Sequence, residues 1–146
     1  MLTQAVIFAG GKGNRLKPLT NTIPKPMAPV NGLPFLDYLI YSIVRSGIKD
    51  ILILVGYKSE FIIERYSTIS GVKIDFSFGS ETYNTGKRLI SAYSKLSNHF
   101  LLMYGDNYWP IEIKKMWQNY KKLQVGVSTT VFLNLSLMSL MSLSLP

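Results

Sequence analysis

Three glycines, an arginine and a lysine near the N-terminus carry the clearest chemistry in this chain. Ala9-Gly10-Gly11-Lys12-Gly13-Asn14-Arg15-Leu16 follows directly on the apolar run Ala5–Phe8, and Pro24-Lys25-Pro26-Met27-Ala28-Pro29 continues the stretch. Lys12, Arg15, Lys17 and Lys25 all precede the first acid, Asp37. Glycine has no Cβ, so its backbone N–H groups can approach an anion closely and turn toward it, while nearby cations neutralise the charge. The pattern reads as an anion site in which the glycines supply access and Arg15 and Lys25 supply charge. The same residues also describe a Gly-rich turn leaving a buried strand, with its basic residues solvated, and composition does not separate the two. Two familiar phosphate motifs are absent. Gly13 is followed by Asn14-Arg15 where a P-loop has Lys-Ser/Thr, and Leu16 stands where a dinucleotide fingerprint has its last Gly or Ala.

Together the two blocks resemble the signature of the sugar-phosphate nucleotidylyltransferases, roughly L-A-G-G-x-G-T-R-L followed by P-K-P. Pro26-Met27-Ala28-Pro29-Val30-Asn31-Gly32-Leu33-Pro34-Phe35-Leu36 is similar in particular to the branch that includes the heptose-1-phosphate guanylyltransferases. Asn14 departs from the usual Thr, a small polar exchange. The resemblance implies an α/β fold, a Rossmann-like three-layer sandwich with a mostly parallel sheet of the nucleotide-diphospho-sugar transferase type. It implies transfer of a nucleotidyl group from an NTP to a sugar 1-phosphate, with release of pyrophosphate.

In that reaction Arg15 would hold the departing pyrophosphate, because a guanidinium donates two parallel hydrogen bonds to phosphate oxygens. Lys25 would act as a point charge on the α-phosphate or the sugar phosphate, and the prolines on either side stiffen its loop. A lysine between two prolines is also an ordinary solvated loop residue. Ala9, Gly10, Gly11, Gly13 and Asn14 would bind the nucleotide. Asp106, after Gly105 and the apolar run Phe100–Tyr104, matches the family's Mg²⁺-binding aspartate. Without the resemblance, Gly-Asp-Asn is good turn chemistry. The family's second metal-binding aspartate lies far downstream, where this chain has a Leu/Ser tail. Glu81-Thr82-Tyr83-Asn84-Thr85-Gly86-Lys87-Arg88-Leu89 occupies the place of the base-reading acid and Thr-Gly loop, which assigns Glu81, Thr85 and Gly86 to the nucleotide. Lys87-Arg88 departs from the small residues common there and looks like the Thr-Gly-x-Arg-Leu variant seen in cytidylyltransferases. The base therefore stands between GTP and CTP.

These residues need a scaffold that brings them together. Gln4–Ala9 and Ile51–Val55 read as buried strands, apolar on both faces. Between them lies a long loop, Gly10–Pro34, and then a helix carrying Phe35, Leu36, Leu39, Ile40, Ile43 and Val44 at helical spacing, with Gly47 as its stop. Ser59 is expected to cap a short helix through Phe61, Ile62 and Tyr66. Lys73–Phe78 alternates polar with apolar, as a strand toward a sheet edge does. A helix over 86–96 is expected to bury Leu89, Ala92, Tyr93 and Leu96, and Phe100–Tyr104 forms another buried strand. Pro110 suits the first turn of a helix carrying Ile113, Met116, Trp117 and Tyr120 inward, followed by a strand at Val125–Phe132. Strand and helix alternate, which is the pattern of a parallel sheet covered on both faces, with ligands at the carboxyl ends of its strands. The Gly10–Arg15 loop and Asp106 both fall at such ends. His99, Tyr104, Tyr108 and Trp109 are expected at the surface or in packing, and Tyr57-Lys58 could line the cleft.

Length and composition agree. A chain of 146 residues is one domain by size, able to bury roughly 70% of its extended surface. It has no cysteine, hence no disulfide framework, and a cytoplasmic location is the expectation. No apolar run is long enough for a membrane span. The net charge of +8 allows nucleic acid, an anionic membrane surface or a polyanionic small ligand. The clustering of basic residues around the glycines favours the small ligand, without nucleic acid. The nucleotide-binding domain is expected over 1–132. After it, Leu133–Pro146 is a Leu/Ser/Met run without charge, expected to reflect a truncated or frameshifted end. An apolar surface left exposed by a missing second half would favour a homo-oligomer. Two competing readings are a nucleotide-binding remnant without turnover and a basic RNA-binding module.

Overall fold

The computed structural model describes residues 2–108, 112–123 and 126–128. They fall into two compact units, Met1–Pro110 and Ile111–Pro146.

The first unit is an α/β Rossmann-like domain. Its principal strands are β1 (Gln4–Phe8), β4 (Asp50–Val55), β5 (Lys73–Phe78) and β6 (Phe100–Tyr104). All pair in parallel, in the order β5-β4-β1-β6. The centre of the sheet falls where the uninterrupted apolar runs are. Ala5, Val6, Ile7 and Ile51–Val55 are at most 1% exposed, because both faces of a central parallel strand are covered. Lys73–Phe78, with its alternating pattern, is an edge strand. On one face, Val6, Leu52, Leu54 and Ala92 form a cluster against which Phe8, Leu89, Leu96 and Phe100 pack. Helix α1 (Phe35–Arg45) buries Leu36, Leu39, Ile40 and Ile43, the stripe its spacing predicts, and Gly47 follows its end with φ 97°.

Four expectations need correction. Phe100–Tyr104, expected to be buried, is the second edge strand of the sheet and leaves Leu102 and Tyr104 exposed, because one side of it has no pairing strand among the described residues. The loop from Gly10 to Pro34 is built rather than irregular. It contains 3₁₀ turns at Asn14–Leu16, Leu19–Asn21 and Lys25–Met27, then a small hairpin of β2 (Pro29–Val30) and β3 (Leu33–Pro34). Asn31 and Gly32, at φ 48° and 82°, make the hairpin's two-residue turn, which an Asn-Gly pair favours. Helix α2 (Ser59–Tyr66) is not capped by Ser59. Lys58 precedes it at φ 51°, without a side-chain cap. Helix α3 (Thr85–Ser91) is shorter than expected and gives way to a 3₁₀ turn at Tyr93–Lys95, which leaves Tyr93 80% exposed instead of buried. Its cap is Asn84, whose Oδ1 accepts from the Lys87 N–H at 2.8 Å.

The second unit contains α4 (Ile113–Leu123), with Ile113 buried and the rings of Trp117 and Tyr120 stacked 5.3 Å apart. Trp109, Pro110, residues 133–146 and most of the strand expected over Val125–Phe132 lie outside the described residues, and Gly126–Ser128 are not in a strand.

Candidate active site

The glycine loop leaves the carboxyl end of β1 and is tied down at several points. The Ala9 N–H donates to the Leu54 carbonyl at 2.9 Å, and the Tyr57 N–H donates to the Gly10 carbonyl at 3.2 Å. Gly13 sits at φ 62°, a left-handed conformation that glycine adopts without steric cost. Its carbonyl accepts from the Leu16 N–H at 2.9 Å and from Thr20 Oγ1 at 3.1 Å. Thr20 is buried, and its own carbonyl accepts from the Tyr57 hydroxyl at 2.8 Å. Tyr57 thus braces the loop from behind and does not line the cleft, contrary to one expectation.

Gly13 also decides where Lys25 runs. A Cβ on Gly13 would stand 2.8 Å from Lys25 Cβ and 3.0 Å from Thr20 Cγ2, so the lysine stem lies directly against the glycine backbone. The next residue, Pro26, is buried against Gly105, where an added Cβ would come within 3.3 Å of Pro26 Cγ and 2.8 Å of the Phe8 carbonyl oxygen. The Gly105 N–H donates to that same Phe8 carbonyl at 2.8 Å. Asp106 follows, at the carboxyl end of β6. Lys25 Nζ donates to Asp106 Oδ2 at 2.5 Å, each side chain about a third exposed.

These elements enclose a cleft of about 400 Å³. Ala9, Gly10, Gly11, Gly13, Asn14, Arg15, Lys25, Thr85 and Asp106, all singled out by sequence, line it. Glu81 and Gly86 do not. Glu81 forms an ion pair with Lys12 of the glycine loop at 3.0 Å, and Gly86 lies in the first turn of α3. Six further residues line the cleft: Phe8, Pro26, Tyr83, Asn84, Arg88 and Tyr104. Tyr104 packs on Phe8 with ring centroids 5.4 Å apart, yet stays half exposed toward the cleft. Tyr108 is half exposed rather than packed, and His99 is exposed.

Arg88, read in the sequence only as part of a Thr-Gly-x-Arg-Leu variant, is the cleft residue whose place the sequence did not reveal. It is 5% exposed, and its terminal nitrogens donate to the carbonyls of Val55 (2.9 Å), Gly10 (2.9 Å) and Ser80 (2.8 Å). Burial lowers its pKa, but a guanidinium stays charged. One signal was available in the sequence: a glycine just past the end of each of three strands, at Gly10, Gly56 and Gly79.

The charge balance of the cleft follows. Lys25 is offset by Asp106, and Lys12 by Glu81. Arg15 and Arg88 both line the cleft and have no acidic partner among the described residues, Arg88 being engaged by backbone carbonyls instead. No group of three or more His, Cys, Asp and Glu is gathered for a metal among the described residues, and no described helix is long and apolar enough to cross a membrane.

Comparison with known proteins agrees with this geometry. The D-glycero-alpha-D-manno-heptose 1-phosphate guanylyltransferase of Campylobacter jejuni is 36% identical over 121 residues, covering 82% of this chain and 55% of its own length. The UTP–glucose-1-phosphate uridylyltransferase AglF of Haloferax volcanii is 38% identical over 105 residues, 71% of this chain and 43% of its own. Among solved structures, HddC from Yersinia pseudotuberculosis complexed with GMP-PN superposes with a TM-score of 0.72 at 32% identity, over 82% of this chain and 54% of that one. The chain spans about half the length of the curated relatives it matches. The profile described as Nucleotidyl transferase matches residues 4–135, from the first strand to beyond α4, and by that match the chain belongs to the nucleotidyl transferase family.

Proposed function

We propose that the chain binds an NTP in the cleft between the glycine loop and Asp106 and transfers its nucleotidyl group to a sugar 1-phosphate, releasing pyrophosphate. The observation that carries this reading is that Lys25 and Asp106, 81 positions apart, meet at 2.5 Å beside the glycine loop. An oxygen of the sugar phosphate forms a bond to the α-phosphorus while the bond from that phosphorus to the bridging oxygen of pyrophosphate breaks, and pyrophosphate leaves with the electron pair. The protein's share is positioning and charge neutralisation.

Arg15 has no ion pair among the described residues to give up and would hold the departing pyrophosphate. Lys25 would neutralise the α-phosphate or the incoming sugar phosphate, and the amides of Gly10, Gly11 and Gly13 would cradle the triphosphate. Asp106 is the residue that would hold Mg²⁺. One carboxylate, with phosphate oxygens and water completing the shell, fits the donor preference of that hard cation. When bound, Mg²⁺ supplies charge neutralisation across the phosphates. Thr85, Asn84 and Tyr83 would form the base side, with Glu81 tied to Lys12 at its edge.

GTP is the favoured base, supported by the guanylyltransferase relative and the GMP-PN complex of HddC. The leaning of Lys87-Arg88 toward CTP loses force because the Arg88 terminal nitrogens are engaged by backbone carbonyls. A heptose 1-phosphate is the first acceptor to test. The nucleotidyltransferase domain is assigned to 1–132, with 133–146 as a tail, in a cytoplasmic protein. Exposed Leu102 on the edge strand β6 supports self-association, which light scattering at two concentrations reads.

The test is pyrophosphate release with each NTP, Mg²⁺ and a panel of sugar 1-phosphates. Release with one pair, abolished in Lys25→Met, supports the reading. The half-length match to the relatives supports a second reading, nucleotide binding without turnover. Saturable NTP binding that is lost in Arg15→Ala, with no release for any pair, would establish that one instead. Salt-sensitive RNA binding that survives Arg15→Ala would refute both.

A further inference from the structure

We propose that Arg88 is the positioning residue of the nucleotide site, joining its phosphate wall to its base wall and leaving a permanent positive charge beneath the cleft. This rests on the nucleotide-binding reading above and adds to it a residue with no assigned part in the reaction.

A buried charge is costly unless it is paired and hydrogen-bonded. Arg88 has no carboxylate partner among the described residues. Backbone carbonyls satisfy it instead. Nη1 donates to the Val55 carbonyl at 2.9 Å and, at the limit of bonding distance, to the Gly79 carbonyl at 3.5 Å. Nη2 donates to Gly10 at 2.9 Å and Ser80 at 2.8 Å. These four carbonyls belong to the carboxyl ends of three adjacent strands, β1, β4 and β5, and to the loop leading to α3. All four terminal N–H groups are used, so Arg88 acts through the backbone.

The space for the guanidinium is made by three glycines, one beyond each strand. A Cβ on Gly10 would lie 2.2 Å from Nη1, on Gly56 2.5 Å, and on Gly79 3.0 Å. None of the three is among the glycines with positive φ, so what they supply is room. Two consequences follow for an anionic ligand. The Gly10 carbonyl, on the phosphate side, and the Ser80 carbonyl, on the base side, are held by one nitrogen, so the two walls keep a fixed separation. Carbonyl oxygens at the ends of parallel strands would otherwise present partial negative charge to an arriving triphosphate, and Arg88 engages them and adds a full positive charge. A lysine cannot replace it, since a single ammonium has three donors at one point and no fork.

Calorimetric titration with GTP and CTP in the presence of Mg²⁺ tests this on the full chain, comparing the unaltered protein with Arg88→Lys and Arg88→Met below their thermal midpoints. Tenfold or greater weakening in both variants, with no rescue by lysine, is the expected result. A folded variant that binds within twofold of the unaltered protein overturns the inference while leaving the nucleotide site intact. Failure of the unaltered protein to bind either nucleotide overturns both. Where the variants do not fold, ¹⁵N-arginine NMR of the unaltered protein decides. Arg88 Nη signals that shift at saturating nucleotide support the role, and signals that stay unchanged overturn it.

Discussion

Lys25 Nζ lies 2.5 Å from Asp106 Oδ2, and each residue is held there by its neighbour, because Pro26 packs against Gly105. With each side chain about a third exposed, the pair is worth about 0–1 kcal/mol to folding. Its value lies in placing one cation and one carboxylate at the mouth of the glycine loop.

Lys25→Met and Asp106→Asn are each expected to lower nucleotidyl transfer ~100-fold, the scale of losing one group that stabilises developing charge. Their thermal midpoints should stay within a few degrees of the unaltered protein. Pyrophosphate release and calorimetry on the same samples check this, and a large fall in stability with activity retained would show the pair to be structural.

Arg15 is exposed and has no hydrogen bond or ion pair among the described residues. Arg15→Ala should therefore leave stability unchanged within about 0.5 kcal/mol. NTP binding should weaken ~10- to 100-fold, the loss of a charge-assisted hydrogen bond. Nucleotide titration reads the second effect and denaturant unfolding the first.

Gly13→Ala combines a left-handed backbone at φ 62° with a Cβ only 2.8 Å from that of Lys25. The backbone alone costs about 1–2 kcal/mol, and the contact forces the lysine stem aside. We expect a lower midpoint together with a loss of NTP affinity. Gly32→Ala is the control, since φ there is 82° but an added Cβ meets nothing, so it should lower stability without touching nucleotide binding.

Asp37 on α1 accepts from Arg65 Nε at 2.9 Å, from Arg65 Nη2 and from the Tyr66 hydroxyl at 2.5 Å. Burial pushes its pKa up, but the hydrogen bonds from Arg65 and Tyr66 outweigh it, and the net position is below the ordinary 3.8. A depressed pKa in the folded state stabilises above the unfolded value, and that contribution is lost as pH falls through the folded one. The thermal midpoint should accordingly decline as pH drops below about 3.8. Asp37→Asn should flatten part of that decline and cost on the order of 1–3 kcal/mol at pH 7. A series of melts from pH 7 to pH 2.5 on both proteins tests it.

Much of the fold was legible in the sequence because the signals are local. The strands Lys73–Phe78 and Phe100–Tyr104 stand where alternation and apolar runs put them, and α1 buries the stripe its periodicity predicts. The glycines, Arg15, Lys25 and Asp106 were visible as a motif and as strand-end residues. Parallel strand order then gathers their ends at one edge. What sequence left open depends on residues distant in the chain. Glu81 is drawn to Lys12, Tyr57 braces Thr20 from behind the loop, and α3 stops at Ser91. Arg88 is the clearest case. In the sequence it was read, with Lys87, only as a departure from the small residues common after Thr-Gly. Only the tertiary structure brings three strand-end glycines around it, because the room for a guanidinium is made by absent side chains on β-strand ends that meet nowhere but in the folded sheet.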